Sequence, residues 1–131
     1  MQDDPQYVDV VSEVKSFLQQ RMDVASSSGI AYDRLIIDPG FGFGKTLKDN
    51  LELFRYLDQF AEMNVPVLVG FSRKSMLGAI TGNDVDNRVY ASVAAALLAV
   101  TKGAKILRVH DVKATKDAIM VHNALINREY Y

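Results

Sequence analysis

The chain contains no cysteine, which excludes disulfides, thiolate catalysis and cysteine-ligated zinc and fits a reducing compartment. It has no long apolar run either. The longest, residues 91–100, is interrupted by Ser92 and is far too short to cross a bilayer. Neither sign of charge dominates: fifteen Lys/Arg against sixteen Asp/Glu give a net charge of −1, so no excess points to a nucleic-acid or membrane partner. The opening Met1-Gln2-Asp3-Asp4-Pro5 is acidic and lacks the charged-then-apolar layout of a secretory signal. No short repeat or low-complexity linker divides the chain. These absences lead to the expectation of a soluble, cytoplasmic protein that binds neither nucleic acid nor membrane.

What is present suits a packed core. The 131 residues are 49% hydrophobic, enough for one domain and too many for disorder. Charge is unevenly spread: residues 1–65 hold six basic and eleven acidic side chains (net −5), residues 66–131 nine and five (net +4). The second half therefore has the charge for an anion site, although basic residues mostly lie on solvated helix faces.

Helix and strand patterns alternate. Asp4-Pro5 predicts a helix start, and Val10, Val11, Val14, Phe17, Leu18 and Met22 recur at helical spacing until the stop at residues 26–29. Leu35-Ile36-Ile37 reads as a strand ending at Asp38-Pro39-Gly40. Beyond a glycine-rich loop, Thr46 and Asp49 form a capping-box pattern before a helix with Leu47, Leu51, Phe54 and Leu57 on one face. Asn64 closes it, and residues 65–69 read as a second strand, with Pro66 tolerable near its start. A short apolar turn follows, ending at Gly78 or Gly82. Asp84 or Asp86 then starts a helix through Val89, Val93, Ala96, Leu97 and Val100, closed by Lys102-Gly103. Residues 104–110 read as a third strand, and Asp111 caps a final helix that includes Ala118, Ile119 and Leu125. The order α-β-α-β-α-β-α implies a parallel sheet covered by helices, either doubly wound or part of a (β/α)8 barrel.

In both architectures ligands bind at the carboxyl ends of the strands, and all three predicted strands end in residues a core does not need. The first delivers Asp38 and the glycine loop, the second Ser72, Arg73 and Lys74, the third Arg108 and His110. The last two are two apart and so share one side of the strand. One carboxylate, two or three cations and a histidine suit an anionic, hydrogen-bonding substrate. Singly, each has a plainer reading: Asp38 as a turn former, Arg73-Lys74 as a solvated helix start; His122, mid-helix, reads as a surface or partly buried structural histidine. The loop Gly40-Phe41-Gly42-Phe43-Gly44-Lys45-Thr46 is not a P-loop, because Gly40 comes one residue too late before Gly44-Lys45-Thr46, and Lys45 stands where GxGxxG requires its third glycine. Its glycines permit sharp bends or close backbone approach, and its phenylalanines either face a flat ring or merely cover the sheet end.

Three segments, Asp38 to Lys45, Gly70 to Gly78 and Ile106 to Val112, resemble in order three signatures of the dihydropteroate synthase family, the folate-pathway enzymes inhibited by sulfonamides. The likeness runs through essentially the whole chain. It implies that residues 1–131 form the C-terminal part of a (β/α)8 pterin-binding barrel, with these strands as the sixth to eighth and the first five outside this sequence. It further implies a magnesium-using transferase that condenses a dihydropterin hydroxymethyl diphosphate with p-aminobenzoate and releases diphosphate. Carried over by motif, the catalytic group is Asp38, Lys74, Arg108 and His110. Asp38, Gly70, Lys74 and Arg108 bind the pterin; Phe43, Ser72, Lys74 and Ser75 form the p-aminobenzoate pocket; and Arg108, Val109 and His110 bind the diphosphate. The magnesium ligand is expected in the first half of the barrel, none in these residues, and homodimerisation through the C-terminal helices. On this reading the chain needs the other strands for activity. Two alternatives are a non-catalytic pterin- or sulfonamide-binding unit and a methyltetrahydrofolate-type pterin-binding methyltransferase domain; Ser72-Arg73-Lys74 and Arg108-x-His110 favour the synthase.

Overall fold

A computed structural model describes residues 7–127. The first helix, α1 (Val10–Ser27), is closed at its start by two carboxylates. Asp9 accepts from the Ser12 backbone N–H at 3.2 Å, and Glu13 accepts from the backbone N–H groups of Val8 and Asp9. The helix therefore begins at Asp9, later than the expected Asp4-Pro5, which lies outside the described residues. Val10, Val11, Val14 and Met22 enter the core, whereas Phe17 is 60% exposed and not on the buried face as expected.

The expected first strand shrinks to one bridge. Ile37 pairs in parallel with Val67, its N–H donating to the Pro66 carbonyl and its own carbonyl accepting from Leu68. Beside it run β1 (Leu68–Val69) and β2 (Ile106–Leu107), parallel, with Leu68 opposite Ile106 and Val69 opposite Leu107. Both are shorter than the apolar runs that suggest them. Burial spreads along residues 65–71, but ladder bonds form only where a neighbouring backbone lies alongside. The three segments adjoin in chain order, which places the ends carrying Asp38, Ser72 and Arg108 at one rim.

The second helical region is two helices, α2 (Leu47–Arg55) and α3 (Leu57–Ala61), broken at Tyr56. The Lys102 ammonium donates to the Arg55 carbonyl at 3.0 Å, and the N–H of Gln59, which would otherwise close that turn, bonds Tyr56 instead. A side chain in the helical ladder is a recognised cause of such a break. Leu53, Leu57 and Phe60 are fully buried; Leu47 is exposed, and Leu51 and Phe54 half-buried. After β1 come α4 (Ser75–Thr81), ending at a left-handed Gly82, a 3-10 turn (Val85–Asn87) and α5 (Val89–Thr101). The third helix of the sequence reading thus starts at Val89, with a separate turn at Asp84–Asn87. Because α5 is apolar almost all round, periodicity misjudges most of its inward face: of the expected positions Ala96 is buried, beside Ser92, Ala95 and Ala99, while Val89, Val93, Leu97 and Val100 are half-buried. The last helix, α6 (Val112–Ile126), packs on α5 and leaves Leu125 76% exposed. No helix among the described residues is long and apolar enough to cross a membrane.

The turn after α5 depends on Gly103, which has φ +104°, and a Cβ there would lie 2.6 Å from that of Ala61 in α3. Gly103→Ala combines backbone strain with overpacking and is expected to cost about 2–4 kcal/mol, read as a lower urea midpoint at unchanged slope.

Candidate functional site

Residues 40–44 alternate glycine and phenylalanine because the backbone demands it. Gly40, Gly42 and Gly44 all take positive φ (79°, 88° and 67°), the left-handed region open to glycine at little cost. The bends turn Phe41 inward, 1% exposed and 4.3 Å centroid to centroid from Phe71, and leave Phe43 exposed. Side chains brace the loop. Asp38 Oδ1 accepts from the Gly40 N–H at 2.8 Å, the buried Asn50 Oδ1 accepts from that of Gly42 at 2.9 Å, and Lys45 donates to the Gly40 carbonyl at 2.8 Å. The expected Thr46–Asp49 capping box closes α2 behind it. Asn50→Ala leaves the Gly42 N–H without its acceptor and is expected to destabilise by about 1–3 kcal/mol, seen in thermal unfolding together with faster exchange of the Gly42 amide.

Lys74 reaches this loop from the start of α4. Its ammonium donates to the Phe41 carbonyl at 2.7 Å and lies 4.9 Å from the Phe43 ring centroid, a cation–π distance. Its stem passes Gly42, where a Cβ would stand 3.3 Å from Cδ. Partial burial pushes its pKa below the lysine range; Asp38 opposes that shift, while Arg108 and Lys45 add to it. Burial likewise lowers Lys45, against the pull of Asp38 and Asp49. Three cations thus share one rim carboxylate, an imbalance that favours an anion.

The third strand end closes the cleft. Gly70, Ser72, Lys74, Arg108, Val109 and His110 line a cavity of about 310 Å³. The buried Ser72 hydroxyl accepts from the His110 backbone N–H at 3.1 Å and lies 2.8 Å from Nδ1. If that hydroxyl donates to Nδ1, the ring proton sits on Nε2 as an outward donor. A Cβ on Gly70 would come within 3.3 Å of the Arg108 guanidinium, so glycine leaves room for that side chain. Arg108 makes no ion pair among the described residues.

Six of the sequence-predicted residues therefore meet in one cavity. Asp38 and Phe43 lie next to Lys74 without lining it, and Ser75 is exposed at the first turn of α4. Asp38 also makes the turn of its plainer reading. Asp111 holds the N-cap position of α6 as expected, but its side chain makes no capping hydrogen bond; the carboxylate takes the Arg73 guanidinium at 2.9 and 3.3 Å instead. His122 is half-buried beside Asn123, the partly buried structural histidine of its sequence reading. Sequence reasoning missed the supporting Lys45, Asn50, Arg88 and Ser92. Ser92 had a visible sign, the one polar residue in the longest apolar run.

Magnesium does not fit these residues. Among the described residues no group of three or more His, Asp or Glu is placed to hold a metal, and the rim carboxylate, Asp38, is faced by two lysines that oppose a divalent cation.

Helices around a small parallel sheet, with cations gathered at its carboxyl end, define an α/β protein with a cationic cleft. The family described as pterin binding enzyme matches residues 1–110, and the chain belongs to it. It is 50% identical over 127 residues to the dihydropteroate synthase of Haemophilus influenzae, covering 97% of this chain and 46% of that protein. The dihydropteroate synthase of Xanthomonas albilineans, solved with 4-aminobenzoic acid, superposes with a TM-score of 0.93 at 50% identity, over 95% of this chain and 48% of that one. The same enzyme in complex with 7,8-dihydropteroate also gives 0.93. The chain spans about half the length of the curated relatives it matches.

Proposed function

We propose that this chain forms the p-aminobenzoate and diphosphate side of a dihydropteroate synthase, its strands being the sixth to eighth of a (β/α)8 barrel. The observation that carries this is the convergence of Ser72, Lys74, Arg108 and His110 on one cavity, within a chain half identical to such enzymes. The Phe43 ring and the Lys74 stem offer a wall for an aromatic amine, with Ser72 and Ser75 as polar partners for its carboxylate. Asp38 accepts paired N–H groups from the pterin edge, near Gly70 and Lys74. Arg108, the Val109 segment and the outer His110 nitrogen bind the leaving diphosphate.

The reaction is substitution at the pterin methylene. The amine nitrogen bonds to that carbon as the carbon–oxygen bond to diphosphate breaks, and the amine proton passes to solvent or to the departing anion. Arg108 and His110 stabilise the negative charge that develops on the leaving group, while Asp38 balances positive charge spread over the pterin. Any magnesium ion takes its protein ligands outside these residues, and a cytoplasmic homodimer through α6, which exposes Val121, Leu125 and Ile126, completes the reading. The test is a chimera joining the first half of the Haemophilus influenzae enzyme to this chain. Dihydropteroate formation dependent on p-aminobenzoate is expected; a folded chimera that makes none refutes the proposal.

A further inference from the structure

Arg73 holds a conformation that a non-glycine residue rarely takes: its φ is +58°. Such a backbone persists only where its surroundings hold it, and here both halves of the residue are held, one from α5 and one from Arg88, the residue just before it. The Arg73 N–H donates to the hydroxyl of Ser92, which is 4% exposed, at 2.9 Å. The Arg73 carbonyl accepts from Arg88 Nη1, also at 2.9 Å, and Arg88 Nε is tied to the Asn83 carbonyl at 3.1 Å. The Arg88 guanidinium passes over Gly78, where a Cβ would meet it at 2.4–2.8 Å; glycine alone leaves that path open. The Arg73 side chain turns away from the cleft to Asp111.

The residues on either side of Arg73 are Ser72 and Lys74, and both line the cavity. A right-handed Arg73 would redirect the chain between Ser72 and Lys74, which is itself extended ahead of α4, and carry the Lys74 ammonium off the Phe41 carbonyl. We propose that Arg88 and Ser92 are positioning residues that hold Arg73 left-handed and so aim Ser72 and Lys74 into the anion cleft. Neither touches the cavity. The affinity part of this inference rests on the anion-site reading above; the backbone part does not.

Two measurements on the full chain separate them: hydrogen exchange of individual amides, and calorimetric titration with inorganic pyrophosphate. Ser92→Ala is expected to speed exchange of the Arg73 amide about tenfold, the worth of one hydrogen bond, while exchange in the middle of α1 is unchanged. Pyrophosphate affinity falls about five- to tenfold, and Ser92→Thr, which restores a hydroxyl, recovers both. Arg88→Met, at a less buried position, weakens pyrophosphate to a similar extent and is the comparison to use should Ser92→Ala not fold. Unchanged Arg73 exchange and unchanged affinity in these variants overturn the proposal, as does exchange that rises equally throughout the chain. Should the unaltered chain not bind pyrophosphate, the anion-site reading fails, and the Arg73 amide alone decides the clamp.

Discussion

Lys74→Met is expected to lower kcat/KM of the chimeric synthase about a hundredfold while leaving the fold intact. The side chain makes three contacts at once: an ammonium hydrogen bond to the Phe41 carbonyl, a cation over the Phe43 ring, and a stem against Gly42. Methionine keeps the stem and loses the charge. In the proposed site that charge is a preorganised donor to the reacting substrate, and losing one such donor costs about 2.7–4 kcal/mol, so a hundredfold, roughly 2.7 kcal/mol, is the lower end. Lys74→Arg does not substitute, because a planar guanidinium is a poor replacement for an ammonium fitted between a carbonyl and a ring face. Stopped-time assays of dihydropteroate, with pyrophosphate titration alongside, measure the effect. A change below threefold would remove Lys74 from the reaction.

The same lysine sets a pH dependence whose sign follows from its environment. Burial holds its pKa below its ordinary 10.5, so the folded chain releases a proton that the unfolded chain still carries. Between the depressed value and 10.5 the unfolded state binds more protons, and stability gains from this group as pH rises. Anion affinity runs the other way. Pyrophosphate prefers the protonated amine, so binding weakens as pH climbs through the depressed pKa and takes up protons there, visible as buffer-dependent heats. Lys74→Met flattens this part of the profile, leaving the smaller contribution of Lys45, which burial depresses in the same direction.

How much of this is legible in the sequence depends on distance along the chain. Strand ends and loop chemistry are local: Asp38, Ser72, Lys74, Arg108 and His110 each follow an apolar run, and their meeting at one rim follows from parallel order. The capping box at Thr46 is equally local. The misjudged features are settled by partners far away. Lys102 breaks the helix at Tyr56 from 47 residues beyond the carbonyl it takes, Arg73 diverts Asp111 from capping α6 across 38 residues, and Ser92 meets the Arg73 amide across 19. The inward face of α5 is hidden for another reason. Where every side of a helix is apolar, size decides which turns inward, and a stripe of Ser92, Ala95, Ala96 and Ala99 allows the closer approach.

Phe41→Ala is expected to produce the largest loss of stability, about 3–5 kcal/mol, a substantial share of the 5–15 kcal/mol typical of a domain. Phe41 is 1% exposed and completes a cluster with Phe71 at 4.3 Å and Phe54 at 6.0 Å, while Phe54 and Phe71 stack at 4.4 Å. Alanine opens a cavity that two stacked rings fill poorly, so the cost includes cavity as well as transfer energy. The damage reaches the site too, because the Phe41 carbonyl is the acceptor for Lys74 and the residue anchors the loop that carries Phe43. Phe41→Leu, which refills most of the volume, is expected to cost less than about 1.5 kcal/mol and to restore most of the affinity. Phe43→Ala is the control. Two positions along and exposed, it should change stability by no more than about 0.5 kcal/mol yet weaken p-aminobenzoate through the lost ring. Urea unfolding and calorimetry on the three variants test the inward–outward alternation imposed by the glycines at 40, 42 and 44; a costlier Phe43→Ala than Phe41→Ala would reverse it.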